Sequence, residues 1–260
     1  METFSHTLVF GAGSSIASHV LGEIKEYSKS LIYVYRELPN ITFESRHPQE
    51  RQTQFDFEDN LEDFDEFISN LGIQSTDSLL IFNFIGRFGV VETIDSISPE
   101  LILKTMEQNL LPFLKLVKLL KRVGRGSLMI GFSGAGIGGS NLERTSLGYL
   151  GGKGAMGFIC EAISAELQKQ AKSISLIAPG PFPSQMQEIV AQSRLPEFEE
   201  NRKKSSEIMQ SVVNPEKLNR LIKWIIQNPK IANGRILSAL HDDPGSIVDS
   251  IDYGLLRRVY

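Results

Sequence analysis

Ser127–Ala155 reads SLMIGFSGAGIGGSNLERTSLGYLGGKGA. The opening SLMIGF is an apolar, β-rich run, and a loop dense in glycine and serine follows it. A helix then opens with Tyr149 and carries Lys153 one turn later. Residues four apart share a helix face, so a phenol and an ammonium are held side by side. Ser133 adds a hydroxyl at the end of the strand. An unperturbed tyrosine, with a pKa of about 10, is a poor proton donor or acceptor at neutral pH. A neighbouring positive charge favours the phenolate and lowers that value. A tuned tyrosine beside an oriented serine suits proton exchange with a carbonyl or alcohol oxygen.

Working outward, the same strand-then-helix alternation runs through the chain. Thr7–Phe10 is a short apolar run ended by Gly11, and a helix is predicted over Ser14–Ser28. Leu31–Tyr35, Thr53–Phe57, Ser78–Phe82, Ser127–Phe132, Ser173–Ile177 and Arg235–Leu240 are predicted strands. Helices are predicted over Asn60–Leu71, Pro99–Arg122, Tyr149–Gln170, Gln185–Ser193 and Glu216–Gln227. In the first of these, Leu61, Phe64, Phe67, Ile68 and Leu71 recur at helical spacing, and Glu62, Asp63, Asp65 and Glu66 form its solvated face. Strands separated by helices of this length make βαβ units, hence a parallel sheet covered on both faces. Right-handed crossovers turn that into a doubly wound, Rossmann-like α/β fold. No repeat, low-complexity run or linker divides residues 1–260, and the irregular loop Glu37–Arg51 is too short for a boundary, so a single domain is expected.

The bulk numbers narrow the partners. An apolar fraction of 41% suits a globular core, and a net charge of −4 gives no basis for nucleic acid or an anionic membrane as partner. Cys160 is the only cysteine, so no internal disulfide forms and a reducing compartment is expected. It reads as a small buried apolar residue. The start METFSHT leads directly into a strand without a targeting pattern. The longest apolar segment, Leu110–Leu120, is interrupted by Lys115 and Lys118 and is too short to span a bilayer. A cytoplasmic location is the expectation, and no metal site is suggested.

The first strand-to-helix turn is Gly11-Ala12-Gly13-Ser14-Ser15-Ile16-Ala17. Small residues let the backbone approach a pyrophosphate, and the helix start offers unpaired N–H groups and a positive dipole end. Ser14 and Ser15 can cap the helix and donate to phosphate oxygens. After the second strand an acidic residue would hold a ribose 2′-hydroxyl, whereas an arginine suits a 2′-phosphate. Here the strand ends in Tyr35-Arg36, and Arg36 can make a forked, charge-assisted phosphate contact. NADP is therefore expected ahead of NAD.

With these pieces placed, the chain resembles the short-chain dehydrogenase/reductase family over nearly its full length. Gly11, Ser14, Ser15 and Ile16 lie in what resembles the cofactor turn. Asp56 and Phe57 look like the pair that contacts adenine. Asn83, Ile85 and Gly86 resemble the segment after the fourth strand. Pro179, Gly180, Phe182 and Ser184 resemble the turn that packs on the nicotinamide, and Asn233-Gly234 fits the turn before the last strand. Asn109, Ser133, Tyr149 and Lys153 match the family's catalytic set. The chain departs from the family at Ser15 and Ala17, where glycine is usual, and at Phe84, where asparagine is usual. The loop Gly134–Gly148 is a few residues longer than usual, which a loop absorbs without moving its ends.

The resemblance implies hydride transfer between a nicotinamide and a carbonyl or secondary alcohol. Tyr149 would exchange the proton with the substrate oxygen, and Lys153 would lower the Tyr149 pKa and hold the nicotinamide ribose hydroxyls. Ser133 would hydrogen-bond the substrate oxygen. Asn109 would anchor a relay water, aided by Pro112, which lacks an N–H and bends its helix beside Gln108. Gly151, Gly152, Gly154 and Gly157 each cost a helix on the order of 1 kcal/mol relative to alanine, so a close neighbouring backbone is expected against them. In the family this helix lies in a subunit interface, which implies a homodimer or homotetramer.

Two other readings stand beside this one. One is a dinucleotide-binding regulator or scaffold without turnover. The other is a sugar epimerase or dehydratase, which resembles longer chains with a larger C-terminal substrate region. The stretch after Pro183 is expected to form a lid whose mix of Met186, Ile189, Val190 and Leu195 with polar residues suits a small polar substrate. A sugar derivative, a keto-acyl compound and a small ketone all fit. The tail His241–Tyr260 would pack at a subunit contact or over the pocket.

Overall fold

The computed structural model describes residues 4–38, 49–58, 62–133 and 146–242. Most of the Gly134–Gly148 loop, and the tail beyond Asp242, lie outside the described residues. Seven strands form one all-parallel sheet: β1 (Phe4–Phe10), β2 (Ser28–Tyr35), β3 (Glu50–Gln54), β4 (Leu79–Asn83), β5 (Leu128–Phe132), β6 (Ser173–Ala178) and β7 (Ile236–Ser238). Their order across the sheet is β3-β2-β1-β4-β5-β6-β7. The order reverses between β1 and β4, and such a switch point opens a crevice at the carboxyl ends of the strands.

The helices are α1 (Ser15–Ile24), α2 (Phe64–Asn70), α3 (Pro99–Arg122), α4 (Leu147–Lys169), α5 (Gln185–Ala191), α6 (Glu199–Gln210), α7 (Glu216–Gln227) and the short α8 (Pro229–Ala232). Alternate strand residues feed two separate cores, one on each face. Val9, Tyr33, Phe82 and Ile130 pack with Val20 and Ile24 of α1 and Leu221 and Ile225 of α7. Leu8, Phe10, Val34, Ile81 and Met129 pack with α2, α3 and α4 through Phe64, Phe113, Leu116, Met156 and Cys160. Burial on both faces is why the central strands read as continuous apolar runs.

Several expected boundaries move. The third strand is Glu50–Gln54 rather than Thr53–Phe57. It is an edge strand with mostly exposed polar side chains, and register is set by its ladder to β2, Leu31 opposite Glu50 through Tyr35 opposite Gln54. Phe55 then leaves the edge to enter the core. The first helix stops at Ile24; a 3-10 turn, Lys25–Tyr27, buries Tyr27 and hands the chain to β2 at Ser28. After Pro183 the expected lid becomes two helices. The second, α6, has no apolar stripe and was not expected from the sequence; it ties to α5 by Ser205 Oγ donating to Gln187 Oε1 at 2.7 Å.

The glycine-rich side of α4 meets α3 of the same chain. A Cβ on Gly148 would lie 2.6 Å from Thr105 Cβ and 2.7 Å from the Ile102 carbonyl, and one on Gly152 would lie 2.9 Å from Asn109 Cβ. The close neighbour expected for these glycines is therefore intramolecular. Gly157 packs on Ile236, and Gly154 meets nothing within 4 Å.

Candidate active site

The site is built on the carboxyl ends of β1, β4 and β5 and the first turns of α4. Gly11 ends β1 with φ +73°, and a Cβ there would sit 3.0 Å from both Ile85 N and the Phe84 carbonyl carbon. Only glycine meets both demands. Ser14 caps α1, its Oγ accepting from the Ala17 N–H at 3.1 Å. Ala17 is fully buried in the core, so its methyl is packing that a glycine would forgo. No acidic side chain lies in the first turn of α1. The N–H groups of a first turn have no helix partner, so this end keeps its attraction for an anion.

At the end of β2, Tyr35 is buried with its ring 3.7 Å from the position of a Cβ on Gly13. Arg36 is half-exposed, and its Nε lies 3.7 Å from Glu37 Oε1. Asp56 closes its own loop by accepting from the Glu58 N–H at 2.9 Å. Phe57 packs edge-on against Phe10, ring centroids 5.8 Å apart.

At the end of β4, Asn83 is fully buried, and its Oδ1 accepts from the Ile85 N–H at 3.1 Å. Its Nδ2 has no hydrogen-bond partner among the described residues, which leaves a donor at the switch point. Phe84 stacks on Phe132 at 4.3 Å, an apolar contact where the family usually carries an amide. The Ile85 carbonyl accepts from Lys153 Nζ at 2.8 Å. A Cβ on Gly86 would lie 2.9 Å from Met186 Cε and 3.7 Å from Lys153 Nζ, so α5 reaches over the site here.

Asn109 clamps the next residue. Its Oδ1 accepts from the Arg87 N–H at 3.1 Å, and its Nδ2 donates to the carbonyls of Arg87 and Thr105, each at 2.8 Å. Both amide hydrogens are committed, so the side chain works as a staple, and a relay water has only the second lone pair of Oδ1 to use. Pro112 lies inside a continuous α3.

Tyr149 and Lys153 share one face of α4, with Lys153 Nζ 5.8 Å from the Tyr149 ring centroid. The Phe88 ring packs against Tyr149 at 5.5 Å, and Ser146, just before α4, donates to the Phe88 carbonyl. Burial holds the Tyr149 phenol up at about 12 and pushes the Lys153 ammonium down to about 7. The phenol is thus raised by desolvation rather than lowered by its neighbour as expected. Ser133 follows β5, is buried, and donates its N–H to the Ile177 carbonyl at 2.8 Å. It lies two residues past Gly131, as Ile85 lies two past Gly131's partner Asn83.

After β6, Pro179 is buried, Gly180 has φ +87°, and Phe182 packs in the core with its ring 5.8 Å from that of His19. Ser184 caps α5 through the Gln187 N–H. Asn233 joins three elements, accepting from Ile174 N–H and donating to the Ser164 carbonyl. Met186 also reaches Gly86, and an ion pair that no local motif marks joins Arg87 Nε to Glu58 Oε1 at 2.7 Å.

The cradle suits a dinucleotide: a glycine turn at the switch point, an anion-ready helix start and an unsatisfied Asn83 donor beside it. Among the described residues no group of three or more His, Cys, Asp or Glu side chains could hold a metal ion, and no described helix is long and apolar enough to cross a membrane.

No protein-family model and no curated protein matches the sequence. Solved structures do match. The ligand-free aldohexose dehydrogenase of Thermoplasma acidophilum gives a TM-score of 0.68 at 13% identity, over 91% of this chain and 92% of that one. RhlG of Pseudomonas aeruginosa, solved as an active-site complex with NADP, gives 0.68 at 19% identity, over 95% and 97%. A short-chain dehydrogenase of Leptospira borgpetersenii with bound NAD+ gives 0.65 at 16% identity, over 95% and 94%. The chain has the fold of the short-chain dehydrogenases/reductases.

Proposed function

We propose that this chain is an NADP-dependent oxidoreductase of the short-chain dehydrogenase/reductase type, acting on a carbonyl or secondary alcohol of a small polar substrate, a sugar derivative among the candidates. The observation that carries it is the buried Lys153 ammonium, set 5.8 Å from the Tyr149 ring and bonded to the Ile85 carbonyl at the switch-point cleft.

The cofactor, when bound, supplies or accepts the hydride. This chain does the rest. Tyr149 is protonated at neutral pH, so its Oη has a proton to give to a developing alkoxide. Lys153 Nζ holds the nicotinamide ribose hydroxyls with the donors it does not spend on Ile85, and Ser133 Oγ holds the substrate oxygen. Asn109 keeps the segment Ile85–Arg87 in place. Gly11, Ser14, Ser15 and Ile16 cradle the pyrophosphate. Asp56 and Phe57 line the adenine end, and Arg36 takes the 2′-phosphate. Asn83, Ile85 and Gly86 form one wall of the nicotinamide end, and Pro179, Gly180, Phe182 and Ser184 the other. We read residues 1–260 as one domain of a cytoplasmic homo-oligomer. The exposed Phe158 of α4 and Leu103 of α3 support a self-association face.

The test is titration of the protein with NADPH and NADH by nicotinamide fluorescence, followed by a carbonyl screen with Tyr149→Phe as control. Binding with turnover lost only in the variant supports the reading. Failure to bind either nucleotide overturns it. A cofactor-binding regulator is the second reading, favoured by the burial that holds Tyr149 so far from neutral exchange, and NADPH binding without turnover on any carbonyl would select it.

A further inference from the structure

We propose that Arg87 and Glu58 form an ion-pair strap across the dinucleotide cleft, which makes Arg87 a positioning residue for the adenosine end of the cofactor; the proposal rests on the cofactor reading above. Glu58 stands four residues past the end of β3 and Arg87 four past the end of β4. Two strands, β2 and β1, lie between those two. Three inter-strand spacings separate the strand ends by about 14 Å. Arg87 Nε and Glu58 Oε1 nevertheless lie 2.7 Å apart. The two loops therefore lean together over the carboxyl ends of β1 and β2. The glycine turn and Tyr35-Arg36 lie at those ends.

Each end of the strap is anchored. Phe57, next to Glu58, packs against Phe10 and Phe64, with ring centroids 5.8 and 5.2 Å away. The Glu58 N–H is held by Asp56. The Arg87 backbone is clamped on both its N–H and its carbonyl by Asn109. A pair this exposed, with side chains 32% and 38% accessible, adds little to global stability. Its effect is on geometry. The carboxylate holds the guanidinium at Nε, and a guanidinium so fixed offers a flat face on which a purine base stacks. Arg87 lies two residues from Ile85, whose carbonyl holds Lys153, so the strap also restrains the segment that seats the Lys153 ammonium.

The experiment compares the full chain with Arg87→Met, Glu58→Gln and the exchange pair Arg87→Glu/Glu58→Arg, after melting curves show that each folds. Two quantities are read: hydrogen exchange of the Ile85–Phe88 amides without ligand, and NADPH and NADH affinity by fluorescence. Each single variant should speed exchange and weaken NADPH binding by about three- to ten-fold, and the exchange pair should restore both to within about two-fold, as expected for a partly exposed ion pair. Single variants with wild-type exchange and affinity would overturn the strap. So would an exchange pair that restores neither, or faster exchange with unchanged affinity. If the wild-type chain binds neither nucleotide, the cofactor reading fails by itself. The strap is then judged on amide exchange alone, and equal exchange in all four proteins overturns it.

Discussion

Lys153 Nζ donates a 2.8 Å hydrogen bond to the Ile85 carbonyl while sitting 5.8 Å from the centre of the Tyr149 ring. One ammonium thus ties the helix that carries the phenol to the loop that ends β4. It does so almost wholly out of water, with the side chain's residue 2% exposed. If Lys153 acts as proposed, function and folding stability are opposed at this position, because burial penalises the charge that the proposed chemistry uses.

That opposition has a measurable sign. Burial lowers the Lys153 pKa from 10.5 to about 7 in the folded chain, while the unfolded chain keeps the ordinary value. Between about pH 7 and 10.5 the unfolded state therefore binds more protons, so stability rises with pH across this window and the penalty is fully present below it. Lys153→Met removes the penalty. Compared by denaturant unfolding at several pH values, the variant should gain most relative to wild type near pH 6 and lose that advantage as pH rises. Parallel pH profiles would show that the ammonium is not desolvated.

The glycines of α4 should separate into two classes. Gly148→Ala drives a methyl into Thr105 Cβ and the Ile102 carbonyl, neither of which can swing aside. Overpacking of this kind costs about 1–3 kcal/mol, which outweighs the ~1 kcal/mol gained in helix propensity. Gly154→Ala meets nothing within 4 Å and should stabilise by about 0.5–1 kcal/mol. Thermal melts of the two variants should shift in opposite directions.

Asn109 offers a test of the clamp. Asn109→Leu leaves the Arg87 N–H and the Arg87 carbonyl without their side-chain partner in a partly buried site, while the Thr105 carbonyl keeps its helix bond. Unsatisfied groups of this sort cost about 1–3 kcal/mol each, less where water can enter. Asn109→Asp keeps the acceptor for Arg87 N–H but sets a carboxylate against two carbonyls, and should be worse at high pH than at low. Measured by urea unfolding at pH 5 and 8, a pH-independent loss for Asn109→Asp would refute the assigned donor directions.

How much of this was legible in the sequence follows from where the signal lies. The central strands are buried on both faces, so Leu79–Asn83 and Leu128–Phe132 announce themselves as apolar runs, and α3 appears over Pro99–Arg122 because Ser98, Pro99 and Arg122 mark its ends. Polar elements carry no such period. β3 slid by three residues because its edge position leaves its side chains in water, and α6 was invisible because only Ser205 is buried on it. In the site, Tyr149 and Lys153 are visible because helix spacing alone brings them together. The Glu58–Arg87 pair is not, since two loops from strands three places apart in the sheet must lean together to make it. The role expected of Asn109 also shifted, because its amide hydrogens are spent on carbonyls that no motif reveals.

In the proposed reading, the choice of nucleotide turns on Arg36. Its side chain is half-exposed, and its contact with Glu37, 3.7 Å between Nε and Oε1, is near the outer limit of an ion pair. The guanidinium can therefore turn to a 2′-phosphate at little cost, because the surface pair that it leaves is weak. A charge-assisted contact with phosphate is worth about 1.5–3 kcal/mol, so Arg36→Ala should weaken NADPH binding by roughly ten- to a hundred-fold while NADH binding stays unchanged. Glu37→Gln removes a competing carboxylate and should strengthen NADPH binding modestly, most visibly at low salt. Fluorescence titration of the three proteins with both nucleotides reads these shifts. An equal loss of NADH and NADPH affinity in Arg36→Ala would mean that Arg36 contacts the part that both nucleotides share, and the preference for NADP would lose its basis.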